Sequence, residues 1–210
     1  MNKRFFPAAT VIMMIAAACN SSGDKKAGEG DTTMKDTTGG TVTTAPAAIP
    51  FTKVVTYDKY SFDITTQGEG DNHHFKIIPT GLTESNDTLS ADVKGSISNV
   101  IINDIDGDNS PEIGVIDLMG PEKLGHIHLF STNNGKSISM VNVPDMSAGD
   151  DPNMQGYKGG DEFEFVENTL VRRFPIYEGD TKTGKTRQFQ YKLKPGEAMK
   201  QLVLDKTMDY

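Results

Sequence analysis

The sequence predicts an all-β protein, an antiparallel β-sandwich that forms a single domain after a signal peptide and a flexible linker. From Phe51 onwards, short runs of alternating apolar and polar residues are separated by Gly, Pro, Asn and Asp, a texture typical of strands and turns. No segment of a dozen residues shows a helical period, and strands do not alternate with helices, which disfavours the α/β classes. No internal repeat of about 20–50 residues is visible, which argues against a complete propeller or solenoid.

The strands are predicted from the alternation of apolar and polar residues. In chain order they are residues 52–57, 60–65, 73–78, 89–103, 113–118, 126–131, 137–143, 161–166, 169–177, 186–193 and 199–204. The stretches Asn133-Asn134-Gly135 and Glu167-Asn168 predict hairpin connections. A domain of about 160 residues buries roughly two-thirds of its unfolded surface, so one hydrophobic core suffices without disulfides.

The amino terminus has the pattern of a secretory signal peptide. Lys3 and Arg4 precede the apolar run FFPAATVIMMIAAA, residues 5–18. This run is too short to cross a bilayer, whose core needs about 20 helical residues. We therefore predict that residues 1–18 are a signal peptide.

The signal peptide leads directly into Cys19, the only cysteine of the chain. The junction looks like a bacterial lipobox, although Ala16 stands where Leu is usual. The resemblance implies a lipidated Cys19; the alternative is ordinary cleavage that leaves a free thiol. By the sorting habit of lipoproteins, Asn20 suggests the outer membrane of the cell envelope, with the leaflet left open.

Residues 19–50 predict a disordered tether between the lipidated cysteine and the domain at residues 51–210. The tether is rich in Thr and Gly, has no aromatic residue and hardly any bulky aliphatic ones. Such a segment cannot bury enough surface to offset the entropy of ordering. The protein is predicted to associate with the membrane only through the lipid anchor.

The charge balance points to a basic protein as partner. Lys and Arg together number 21 and Asp and Glu 29, a net charge of −8. A chain of this charge cannot neutralise phosphates and release their counterions, so nucleic acid is excluded as the expected ligand. Opposite charge would instead steer a basic protein towards it.

Neither a nucleotide site nor a catalytic nucleophile is predicted. Residues 179–186 match the phosphate-loop pattern letter for letter. A true phosphate loop opens a helix, whereas Phe189, Tyr191 and Leu193 alternate as in a strand, so we predict a β-hairpin loop there. Without a G-x-S-x-G motif or a nucleophilic cysteine, the protein is predicted not to be an enzyme.

An acidic loop carries the sharpest chemical signal. Oxygen donors recur at every second residue of this loop: Asp104, Asp106, Asp108, Ser110 and Glu112. Hard oxygens at that spacing suit a structural Ca²⁺ ion, and the loop resembles the calcium motif of FG-GAP repeats, with Asn109 able to adopt the left-handed conformation. The alternative is a metal-free turn whose carboxylates accept hydrogen bonds from its own backbone.

Two histidines lie on one face of a predicted strand. His126 and His128 are two residues apart and could form half of a zinc site, the alternative being surface or cross-strand pairing. His73 and His74 are predicted to point to opposite faces of their own strand. Arg172 and Arg173 also diverge, one predicted to pair with an acid of the domain and the other to be solvated.

The carboxy-terminal half resembles a known family. The residues that carry the resemblance are 156–163, 170–177, 183–184, 186–187 and 191–193, together with Pro111-Glu112-Ile113 after the acidic loop. They are similar to the periplasmic inhibitors of invertebrate-type lysozyme, over roughly residues 88–204. The resemblance implies a secreted β-sandwich with no active site of its own, whose loop plugs the cleft of a basic lysozyme.

In that family a Ser-Gly-x-Tyr loop supplies hydroxyl groups to the enzyme's two carboxyl groups. The matching loop here follows Met119 and consists of Gly120, Pro121, Glu122, Lys123, Leu124 and Gly125. It lacks both the Ser and the Tyr, so either Lys123 is the donor or the chain has kept only the fold.

The alternative function is a calcium-stabilised envelope module that binds a glycan or a protein, and homodimerisation through an edge strand is left open.

Overall fold

The computed structural model describes residues 50–69, 72–146 and 151–210. The predicted signal peptide, Cys19 and the tether up to residue 49 lie outside these residues. The described residues belong to one compact unit, Thr43–Tyr210. Within the described ranges, no helix has the length and apolar character needed to cross a membrane.

The described chain is built almost entirely from β-strands, with one short 3-10 helix at Pro152–Met154. The strands are β1 (Thr52–Tyr57), β2 (Tyr60–Glu69), β3 (Asn72–Thr80), β4 (Leu89–Val93), β5 (Ser96–Asn103), β6 (Glu112–Met119), β7 (Leu124–Ser131), β8 (Ser139–Met140), β9 (Glu162–Val166), β10 (Thr169–Glu178), β11 (Thr181–Lys194) and β12 (Gln201–Asp209). The prediction of an all-β fold is confirmed.

The strands form three four-stranded sheets, each a meander of consecutive strands. The first sheet has the order β1-β2-β3-β4, the second β5-β6-β7-β8 and the third β12-β11-β10-β9. All neighbouring strands within the sheets are antiparallel. The predicted antiparallel sandwich is therefore confirmed, with three sheets.

The second sheet is the central layer because both of its faces are covered. On one face, Val115 and Phe130 pack into a core cluster with Phe62 of the first sheet. On the other, Leu129 packs with Phe174 of the third sheet in a second cluster. The expectation of one core is therefore wrong, because the central sheet separates two apolar layers.

Several predicted strands differ from the observed ones: β2, β11 and β12 extend beyond their predicted bounds, and two other predicted strands change more. The predicted strand at 89–103 is divided into β4 and β5 by a turn at Lys94-Gly95. The turn runs so close to β6 that a Cβ on Gly95 would lie 2.3 Å from the carbonyl oxygen of Leu118. The predicted strand at 137–143 shrinks to β8 because Asn142 leaves the second sheet to bridge to Gln201 at the start of β12.

The two predicted hairpin connections agree with the structure, but the loop predicted at residues 179–186 is shorter, because β11 already begins at Thr181. Asn133 and Asn134 have φ angles of 50° and 59° in the turn between β7 and β8, and Glu167, with φ of 49°, lies in the two-residue connection of β9 to β10. Residues 179–186 span the β10–β11 hairpin and the start of β11. No helix begins there, so the geometry of a phosphate loop is absent from this described stretch.

Candidate functional site

The loop predicted to bind a partner is the tip of the β6–β7 hairpin. Residues 120–123 connect the two strands, and Leu124 and Gly125 are the first residues of β7. The backbone N–H of Lys123 donates to the carbonyl of Gly120 at 3.2 Å, and both residues have positive φ, 54° and 66°. This tight turn leaves the side chains of Pro121, Glu122 and Lys123 exposed.

The hairpin tip is held by the segment that precedes β9. The N–H of Gly160 donates to the carbonyl of Glu122 at 2.7 Å and to that of Lys123 at 3.1 Å. The N–H of Gly125 donates to Asp161 Oδ2 at 2.7 Å. Two stretches that the family resemblance singles out, residues 120–125 and 156–163, are thus joined by hydrogen bonds.

Asp161 and Arg172 anchor this segment in the interior. Arg172 Nε donates to Asp161 Oδ1 at 2.7 Å, and the exposed fractions of the two side chains are 1% and 0%. Arg172 Nη1 donates to the carbonyl of Met146 at 2.6 Å. The guanidinium carbon lies 5.0 Å from the ring centroid of Tyr157 and 5.3 Å from that of Phe174. The predicted buried arginine ion pair is present, and Arg172 is its cation.

Burial and the Asp161 carboxylate together determine the charge states of Arg172 and Tyr157. Burial alone would lower the pKa of the Arg172 guanidinium, but the hydrogen bond and the charge of Asp161 outweigh it and the pKa is raised. The Tyr157 hydroxyl donates to Asp161 Oδ2. Burial, together with this hydrogen bond, raises the pKa of Tyr157 to about 12. The anchor therefore consists of a fixed ion pair and a neutral phenol.

The hairpin, residues 158–162 and strands β10 and β11 enclose an open groove of about 780 Å³. Its lining includes both cationic and acidic side chains: Lys123, Lys158, Lys182 and Arg173, and Glu122, Asp161 and Glu162. Lys158 pairs with Asp180, and Arg173 with Glu164. Among the described residues, the ammonium groups of Lys123 and Lys182 have no ion-pair partner. The groove is therefore of mixed charge, with two unpaired lysines on its lining.

The acidic loop connects β5 to β6, as predicted, and three of its carboxylates lie close together. Oxygens of Asp104, Asp106 and Asp108 lie within 4.8 Å of one another. Asp104 accepts hydrogen bonds from the N–H groups of Gly107 at 2.7 Å and Asn109 at 2.9 Å. Asn109 has a φ of 62°, the predicted left-handed conformation. The backbone caps expected of a metal-free turn are present together with a cluster that could hold a cation.

Ser110 and Glu112 are buried beneath these carboxylates. The N–H of Ser110 donates to Asp108 Oδ1 at 2.9 Å. Glu112 accepts from the N–H of Ile105 at 3.1 Å and from the Ser131 hydroxyl at 2.8 Å. Burial raises the pKa of Glu112 to about 7, although these hydrogen bonds favour the charged form. Glu112 is thus already engaged by protein donors.

Lys200 is a member of the acidic cluster that the sequence did not indicate. Its ammonium group donates to Asp106 and lies 3.2 Å from Asp108 Oδ2 and 3.6 Å from Glu112 Oε1. Burial would lower the pKa of Lys200, but the hydrogen bond to Asp106 and the neighbouring carboxylates raise it. A protein cation therefore occupies part of the position where a bound ion would sit.

The fold and the groove define an all-β protein that presents a hydrogen-bonded hairpin beside a groove of mixed charge. Comparisons with protein-family models, with curated proteins and with solved structures find no match for this chain. The likeness of residues 88–204 to the inhibitors of invertebrate-type lysozyme therefore stays a prediction from the sequence.

Proposed function

We propose that this protein is a non-catalytic lipoprotein of the cell envelope, in the outer membrane, that binds a basic lysozyme-like enzyme and blocks its cleft with the 120–125 loop. One observation carries the proposal. Residues 121–123 of the loop and residues 158–162, separate in sequence, line the same groove, and the exposed Lys123 has no ion-pair partner in the described part of the chain.

The chemistry of the groove suits the cleft of a glycosidase. Such enzymes place two carboxyl groups on either side of the scissile bond. Lys123, with Lys182 nearby in the groove lining, would offer charge-assisted hydrogen bonds to these carboxyl groups in place of the family's hydroxyls. The net charge of −8 would attract the basic enzyme as a whole.

Replacing Lys123 by alanine is expected to weaken inhibition at least about tenfold, because the variant loses its charged donor to a buried carboxyl group. The measurement is the lysis of peptidoglycan by an invertebrate-type lysozyme at increasing concentrations of the inhibitor. Lys206→Ala is the matched control, since Lys206 is an exposed lysine outside the groove. Equal inhibition by the parent and Lys123→Ala, or no inhibition of any lysozyme class by the parent, would contradict the proposal.

The acidic loop favours a second candidate, a calcium-stabilised envelope module that binds a glycan or a protein. Asp104, Asp106 and Asp108 repel one another at separations within 4.8 Å, and a dication would relieve that repulsion. Of the described basic side chains, Lys200 alone pairs with this cluster. Ca²⁺ and Lys200 would therefore compete for the same oxygens.

Replacing Lys200 by glutamine is expected to increase the stabilisation of the protein by Ca²⁺. At a calcium concentration about 100 times Kd, binding contributes about 2.7 kcal/mol, which corresponds to a Tm roughly 5–10 °C higher than in EDTA. The control is Lys192→Gln, which removes an ion pair with Asp205 elsewhere in the third sheet. Identical melting curves with Ca²⁺ and with EDTA, in both the parent and Lys200→Gln, would contradict the proposal that the acidic loop binds Ca²⁺.

A further inference from the structure

A second cluster of metal-ligating side chains lies at the base of the β6–β7 hairpin. Asp117 of β6 is directly opposite His126 of β7, and His128 follows on the same face two residues later. The cluster faces the first sheet, where the Phe75 ring packs edge-on against the His128 ring at 5.2 Å. Strand pairing thus brings two imidazoles and one carboxylate together.

The three groups converge on one carboxylate oxygen. His126 Nδ1 lies 3.2 Å from Asp117 Oδ1, and His128 Nε2 lies 3.3 Å from the same atom. The ligating atoms of all three residues lie within 4.8 Å of one another. In a tetrahedral site with bonds of about 2.1 Å, two ligand atoms are about 3.4 Å apart. The observed separations are therefore close to those that a tetrahedral ion requires.

One nitrogen of the cluster is left without a hydrogen bond. His128 Nε2 is buried and has no hydrogen-bond partner among the described residues, because its contact with Asp117 has the distance but not the direction of one. The His128 side chain is 10% exposed and that of Asp117 1%. Buried ring nitrogens are normally satisfied. An ion beside Asp117 would satisfy this one.

A hydrogen bond also orients the Asp117 carboxylate through its other oxygen, as is usual for metal ligands. Asp117 Oδ2 accepts a hydrogen bond from the N–H of Gly95 at 3.2 Å. The carbonyl of Gly95 in turn lies 2.6 Å from His73 Nε2. These contacts fix the second oxygen of Asp117 and leave Oδ1 directed at the two imidazoles.

We propose that Asp117, His126 and His128 bind a divalent first-row transition-metal ion, with Zn²⁺ as the best match to two imidazole nitrogens and one carboxylate oxygen. The His126 side chain is 49% exposed, so one side of the site is open to solvent and a water can complete the coordination. The ion would cross-link β6 and β7 immediately below the hairpin tip. Its role is structural, and it does not depend on the identity of the partner.

The proposal is tested by titrating the untagged full chain with Zn²⁺ against a chromophoric chelator, and with Co²⁺ as a spectroscopic substitute. Ca²⁺ in large excess is added to compete with Zn²⁺ for the carboxylates of the acidic loop, and Cys19→Ser removes the only thiol. We expect one Zn²⁺ per chain and the intense visible absorption of tetrahedral Co²⁺. His126→Gln and His128→Gln should each weaken Zn²⁺ binding by about tenfold or more.

His74→Gln is the matched control, because His74 points to the opposite face of β3 from His73 and should bind Zn²⁺ like the parent. His126 is half-exposed, so His126→Gln keeps the fold, which circular dichroism verifies, and it decides the outcome if His128→Gln unfolds. Unchanged Zn²⁺ affinity in folded His126→Gln, an equal loss in His74→Gln, or no saturable binding by the parent would overturn the proposal.

Discussion

Replacing Arg172 by methionine is expected to lower the free energy of unfolding by about 3–5 kcal/mol, because it leaves a buried carboxylate without its cation. Asp161 would keep its hydrogen bonds from Gly125 and Tyr157 but lose the guanidinium at 2.7 Å. The carbonyl of Met146 would also lose its donor. Methionine preserves most of the volume, so the loss reports charge and hydrogen bonding more than packing.

The measurement is urea unfolding followed by far-UV circular dichroism, since the chain has no Trp for fluorescence. Arg173→Met is the control on the adjacent residue, whose ion pair with Glu164 is partly exposed and should contribute about 1 kcal/mol or less. Adding Asp161→Asn to Arg172→Met should recover part of the loss, because the stranded charge is then removed. Equal effects of Arg172→Met and Arg173→Met would show that the pair does not anchor the groove.

The strands could be predicted from the sequence because alternation is a local property of the chain. The order of layers could not, since it depends on which face of each sheet meets which neighbour. One signal was present in β6, whose residues from Ile113 to Leu118 are apolar apart from Asp117, and which is buried from Glu112 to Asp117. A strand of that kind is typical of a sheet covered on both sides. The sequence predicts β4 and β5 as one strand because nothing local distinguishes Lys94-Gly95 from a bulge.

The site residues divide in the same way. Residue spacing predicted the acidic loop, where Asn109 adopts the expected left-handed conformation, and the family resemblance indicated the loop at residues 120–125. Lys200, however, reaches Asp106 from 94 residues away. Asp117 joins the two histidines through strand register, and Asp161, just before β9, meets Arg172 on the adjacent strand β10. Such pairings follow from register and layer packing, which composition and spacing do not specify.

Replacing Gly159 by alanine is expected to push the 156–161 segment away from the tip of the β6–β7 hairpin. Gly159 has a φ of 89°, and a Cβ there would lie 2.2 Å from the carbonyl oxygen of Glu122, which is backbone and cannot rotate away. The left-handed conformation costs alanine about 1–2 kcal/mol, and forcing an atom into a closely packed contact adds about 1–3 kcal/mol. We expect a loss near 3 kcal/mol in urea unfolding, within the range of these two costs.

Gly184→Ala separates these two costs. Gly184 has a similar φ, 82°, but nothing lies within 4 Å of the position of its Cβ. It should therefore show the conformational cost alone, and it should leave inhibition of lysozyme unchanged. In Gly159→Ala the 156–161 segment must move away from Glu122. This movement displaces Lys123, so we expect inhibition to fall by more than the lost stability explains. Equal stability and equal inhibition in the two variants would mean that the close approach of Gly159 to the hairpin does not position Lys123.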